Sequence, residues 1–75
     1  MKTMKRLLND YQLNSDIQYF EMIVESVING QRTQAKELFK AMPKEDKERF
    51  VSAIFGYWDS GLGESDKLLF VTPIK

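Results

Sequence analysis

Seventy-five residues, 43% of them apolar, carry eleven basic and eleven acidic side chains, for a formal net charge of zero at pH 7. Cysteine and histidine are absent, which excludes a disulfide staple, a Cys/His zinc site and Ser–His or Cys–His nucleophilic chemistry. The length allows one domain held by apolar packing alone, and the apolar content at zero net charge argues against a disordered chain.

The opening Met1-Lys2-Thr3-Met4-Lys5-Arg6-Leu7-Leu8 starts like a signal peptide, but Asn9 and Asp10 fall where its apolar stretch would have to continue. Met4, Leu7, Leu8 and Tyr11, at i, i+3, i+4 and i+7, predict a first helix over residues 2–11 with Lys2, Lys5, Arg6 and Asn9 turned away. A second helix over 16–29 opens on Ser15 with Gln18 three residues later, the spacing of a capping box, and Asp16 suits the dipole of its first turn. Gly30 is its left-handed stop. Ile17, Tyr19, Phe20, Ile23, Val24, Val27 and Ile28 cover about half of its circumference and Glu21 and Glu25 lie on its polar strip, so this helix is expected at the centre.

A short third helix over 34–42, capped by Thr33, has the stripe Ala35, Leu38, Phe39, Met42 and an outer row of Arg32, Lys36 and Lys40. The fourth is expected over 43–59, with Pro43 at its first position and Gly61 as its stop, Leu62 folding back toward Tyr57. It carries two adjacent stripes: Phe50, Ala53, Ile54 and Tyr57, and beside them Val51, Phe55 and Trp58. A loop over 59–66 leads to an apolar tail over 67–75, whose run Leu68-Leu69-Phe70-Val71 is too short for periodicity to assign. The expected fold is all-α: one domain over 1–75, a small bundle of three to four short helices with antiparallel hairpin connections and a C-terminal tail.

Tyr19, Met22, Gly30, Ala35 and Phe39 are spaced so that residues 19–42 resemble a single tetratricopeptide hairpin. Ile23, Ser26 and the early Pro43 depart from that repeat, and the resemblance implies hairpin geometry alone. Ser65-Asp66-Lys67-Leu68-Leu69-Phe70 resembles a bacterial sliding-clamp-binding peptide that lacks its leading glutamine, which implies a clamp contact if the segment is exposed.

Without histidine or cysteine the chemistry left for an enzyme is carboxylate, lysine and hydroxyl chemistry. The Glu21/Glu25 pair is more simply a solvated strip, so a non-enzymatic role is expected. The loop at Asp59 to Asp66 lacks the pattern of a calcium site, so neither metal nor cofactor is expected. No run approaches a membrane span, and a cytoplasmic address with no membrane partner follows. The apolar surplus of the fourth helix is the main functional signal. Val51, Phe55 and Trp58, with Tyr57 and the tail residues Leu69 and Phe70, make a candidate protein interface, covered by the chain's own tail, by a second copy in a homodimer or by another protein. The alternative is a regulator that touches nucleic acid through Arg32, Lys36 and Lys40, which the acidic start of the fourth helix, Glu45, Asp46 and Glu48, works against.

Overall fold

In a computed structural model of the protein, which describes residues 3–71, the chain forms five helices and no strand among the described residues. They are α1 (Met4–Asp10), α2 (Asp16–Ile28), α3 (Arg32–Ala41), α4 (Lys44–Phe55) and α5 (Glu64–Val71). The all-α class is as expected; the count is five rather than three to four because part of the expected tail is helical.

The helix ends follow local chemistry. Thr3 caps α1, its hydroxyl accepting from the Arg6 N–H at 3.2 Å. At α2 the Ser15 hydroxyl accepts from the Gln18 N–H at 3.4 Å, while the Gln18 side chain accepts from the Asn14 N–H at 2.7 Å rather than from Ser15, a capping box shifted by one residue. Both helices end in a Schellman motif. After α2, Gln31 N–H reaches the Ser26 carbonyl at 2.8 Å and Gly30 N–H the Val27 carbonyl at 3.0 Å, with Gly30 at φ +82°. After α1, Leu13 and Gln12 make the equivalent bonds to Leu8 and Asn9, but the left-handed position, φ +58°, is held by Gln12. A side chain there costs about 1–2 kcal/mol. Gln12→Gly is therefore expected to stabilise the fold by about 0.5–1 kcal/mol after the added chain entropy of glycine is offset, measured as a higher urea midpoint.

The boundaries of α3 and α4 differ most from the sequence reading, and residues 64–66 of the loop expected over 59–66 belong to α5. α3 begins at Arg32, with Gln31 rather than Thr33 at the cap and no side-chain bond there. Pro43 stands just outside α4 as its N-cap, its carbonyl taking the Asp46 and Lys47 N–H groups at 3.0 Å each. α4 stops at Phe55 instead of running to 59. Gly56 turns the chain: a Cβ at that position would lie 2.6 Å from the Ser52 carbonyl oxygen, so this turn is open to glycine alone without movement of the helix end. Trp58 N–H then folds back to the Ala53 carbonyl at 2.9 Å.

The second and third helices form the central pair. The Tyr19 hydroxyl, in the first turns of α2, donates to the Leu38 carbonyl near the end of α3 at 2.6 Å, which sets the start of one helix beside the end of the other, an antiparallel hairpin. That carbonyl is one of the four a helix C-terminus leaves without an intrahelical donor, and Tyr19 satisfies it in the core. Removing the hydroxyl by Tyr19→Phe strands a buried acceptor, an expected loss of about 1–3 kcal/mol. The Tyr19 phenol is pushed well above its ordinary 10.0, first by burial and then by Tyr11, whose ring lies edge-on at 5.9 Å. Below about pH 10 both states keep the proton; above it the unfolded chain ionises first, so stability falls as pH rises past that value. Urea titrations at neutral pH and at about pH 11 should show Tyr19→Phe weaker at the former and less pH-sensitive than the parent chain.

The core is aromatic. Phe50 of α4 lies at its centre, 5.3 Å from Phe20 of α2, 5.9 Å from Phe39 of α3, 5.0 Å from Phe70 of α5 and 6.3 Å from Trp58 between ring centroids. Leu7, Ile23, Leu38, Met42, Ile54 and Leu62 fill the space around them. Among the described residues every buried side-chain nitrogen or oxygen has a hydrogen-bond partner, including Ser26, whose hydroxyl donates to the Met22 carbonyl at 3.0 Å. At the surface Arg49 ties α4 to α2: its guanidinium pairs with Asp16 and with Asp46 and lies over the Phe20 ring at 5.7 Å. Half-exposed as it is, each pair adds at most about 1 kcal/mol.

Candidate protein-interaction surface

The end of α4, the turn after it and α5 carry the residues expected at an interface, in a different arrangement from a single helical stripe. Val51 is half-buried and packs against the core from its side of α4. Phe55, the last helical residue, is 47% exposed, and Tyr57, in the turn that Gly56 creates, is 85% exposed. Trp58 does not continue the stripe: because the helix has ended, its ring turns back edge-on to Phe50 and is half-buried. Leu69 is half-buried against the core. Phe70 has no exposed surface and sits between Phe39, at 5.1 Å, and Phe50. It is a core residue and is withdrawn from the candidate surface, and the segment Leu68-Leu69-Phe70 is not an extended exposed peptide.

Leu68, 53% exposed, takes the outward place instead. Residues two apart on a helix differ by about 200° in direction, so burying Phe70 turns Leu68 outward; without knowing that 64–71 is helical, the sequence offers no way to choose between them. Glu64 and Asp66 in the first turn of α5 favour its N-terminus. Lys67 reaches across to α4, its ammonium 5.6 Å from the centre of the Phe55 ring, a cation–π contact worth about 0.5–1 kcal/mol at an exposed site. It covers part of the ring and leaves the rest accessible.

A second set of exposed apolar side chains lies on the other side of the sequence: Tyr11, Ile17 and Ile28. Ile17 and Ile28 were expected inside, as the margin of the wide apolar arc of α2. They are eleven positions apart, which brings them to nearly one azimuth, and neither α1 nor α3 covers that edge. Glu21 and Glu25 are both exposed.

The basic row is only partly available. Arg32 pairs with Asp66 of α5 at 3.5 Å, Lys36 is half-buried and Lys40 is exposed. Among the described residues no cluster of three or more potential ligand side chains could hold a metal ion, and no helix is long and apolar enough to cross a membrane.

The chain matches no protein-family model, no curated protein and no solved structure.

Proposed function

We propose that the protein is a non-enzymatic interaction or adaptor domain whose contact surface centres on Phe55 and Tyr57, with Leu68 and the half-buried Val51, Trp58 and Leu69 adjoining. The supporting observation is the exposure of two aromatic side chains on either side of Gly56, at the end of a helix whose other apolar residues, Phe50, Val51, Ala53 and Ile54, are buried or half-buried. Large aromatic rings carry much of the binding energy where they become desolvated, and Tyr and Trp are frequent anchors of such patches. Lys67, whose ammonium lies over the Phe55 ring, and Asp59, two residues after Tyr57, bring both signs of charge to the surface, a rim that sets register and orientation more than affinity. The partner is another protein or a second copy of this chain, met in a cytoplasmic setting that the absence of cysteine suits. The nucleic-acid alternative is weaker, because Arg32, the first residue of the basic row, is already paired within the fold.

A photo-crosslinking residue placed at position 57 in cells of the source organism tests this. One dominant covalent adduct from position 57, with none from a probe at the exposed Lys40, is the expected result. No adduct from 57, or the same adducts from both positions, overturns the assignment.

A further inference from the structure

Helix α2 buries one side and leaves the other open. Positions on a helix advance by about 100° per residue, so Ile17, Ile28, Glu21 and Glu25 stand within about 80° of one another on its outer face. Ile17 is 50% and Ile28 63% exposed, and both glutamates are exposed along the helix between them. A groove of about 390 Å³ follows the same face from Gln18 to Asn29, its apolar lining supplied by the half-buried Leu13 and Met22 and its acidic lining by Glu21 and Glu25.

The charge on this face is uncompensated. Asp16, at the start of α2, is paired with Arg49, but among the described residues no ion pair includes Glu21 or Glu25. Like charges one turn apart oppose the helix. Glu25 also lies in the last turn, where the helix dipole favours a cation, and that turn has no basic residue. A cation brought to the two carboxylates relieves both effects, and an apolar side chain laid over each isoleucine removes its surface from water. Ile17 and Ile28, eleven residues apart, are separated by about 16 Å along the axis. A second helix alongside matches them with apolar residues at the same spacing and Lys or Arg on the turns between, the helix-in-groove mode of recognition.

A second copy of this chain does not supply such a helix. Packing α2 on α2 across a two-fold axis sets the glutamates of the two copies against one another. Helices α1, α3 and α5 have 7, 10 and 8 residues, too few to hold two positions eleven apart. In α4 those positions are its first and last residues, Lys44 and Phe55, of which one is apolar.

We propose that the outer face of α2 binds a basic amphipathic helix of another protein. Two apolar residues of that helix, three turns apart, pack on Ile17 and Ile28, and its Lys or Arg side chains pair with Glu21 and Glu25. None of the residues of the Phe55–Tyr57 surface takes part.

The probe is a synthetic alanine-based helical peptide with leucines eleven positions apart and lysines between them on the same face. It is titrated against the full chain and followed by fluorescence anisotropy and by amide chemical shifts. Saturable binding below about 1 mM is expected, with the shifts centred on α2. The variants Ile17→Ser/Ile28→Ser and Glu21→Lys/Glu25→Lys, all at exposed positions, are each expected to weaken it by at least about tenfold. Glu21→Gln/Glu25→Gln is expected to remove most of its salt dependence, and a peptide with glutamate in place of lysine is expected not to bind. No saturable binding, equal binding of the glutamate peptide, or an affinity unchanged in either of the first two variants overturns the proposal. Tyr57→Ser is expected to leave the affinity as it is; a loss there would assign the peptide to the Phe55–Tyr57 surface and overturn the assignment to α2.

Discussion

Phe50→Ala is expected to leave the chain largely unfolded at room temperature. Phe50 is fully buried and its ring meets Phe20, Phe39, Phe70 and Trp58, so its loss opens a cavity walled by α2, α3, α5 and the turn after α4 together. Truncating a buried phenylalanine costs about 3–5 kcal/mol. A core of this size rarely provides more than about 3–5 kcal/mol in total, and no disulfide or Cys/His zinc site is present to supplement it. The two quantities are equal within their spread, so the expected far-UV circular dichroism of the variant is that of a mostly unfolded chain with no cooperative melt. A melt lowered by less than about 5 °C, which corresponds to roughly 1 kcal/mol in a domain of this length, would contradict the central place given to this ring.

Phe70→Ala removes the same side chain from an equally buried position and is expected to act differently. The nominal cost is again about 3–5 kcal/mol. The chain has a way to limit it, because the loss cannot exceed the free energy with which α5 docks. Beyond that value α5 leaves its groove and unfolds by itself, as weakly held segments do, while the α2–α3 hairpin and α4 keep Phe20, Phe39 and Phe50 in contact. The expected result is a melting temperature between those of the parent and Phe50→Ala, with amide protection lost over Glu64–Val71 and retained in α2. Protection lost uniformly across the chain would show that α5 is part of one cooperative unit with the hairpin. The contrast comes from position: Phe50 is shared by four neighbours, whereas Phe70 anchors one short element at the end of a glycine-bounded linker.

Most of the first half of the molecule is legible in the sequence. The Ser15/Gln18 spacing and Gly30 locate the ends of α2 to within a residue, and the Ala35, Leu38, Phe39, Met42 stripe is buried as its period predicts. The hairpin geometry implied by the tetratricopeptide-like spacing of residues 19–42 is present between α2 and α3. The second half is less legible. The stripe Val51, Phe55, Trp58 argues for a helix to residue 59, and local pattern has no means of weighing Gly56 against it. The break is decided by what lies beyond: ending the helix there lets Trp58 and Leu62 fold back onto Phe50 and its neighbours and delivers α5 to its groove. The candidate surface shares that uncertainty. Phe55 and Tyr57, which the apolar surplus alone singles out, are exposed; within the tail the sequence does not separate Leu68 from Phe70, because an apolar run without a period does not say which side faces in.

The sequence by itself determined the class of the fold, the central hairpin and the dependence on apolar packing, since these follow from composition, from hydrophobic spacing and from end signals a few residues long. It also determined that more apolar surface lies on the fourth helix than one seam between helices would cover. Only the tertiary structure decided how that surface is divided: Phe50 and Trp58 to the core, Phe70 to the groove beneath α5, Phe55, Tyr57 and Leu68 to solvent. The reason is that burial is a property of the three-dimensional arrangement. An eight-residue helix with no stable conformation of its own takes its form, and the direction of each of its side chains, from the surface on which it docks.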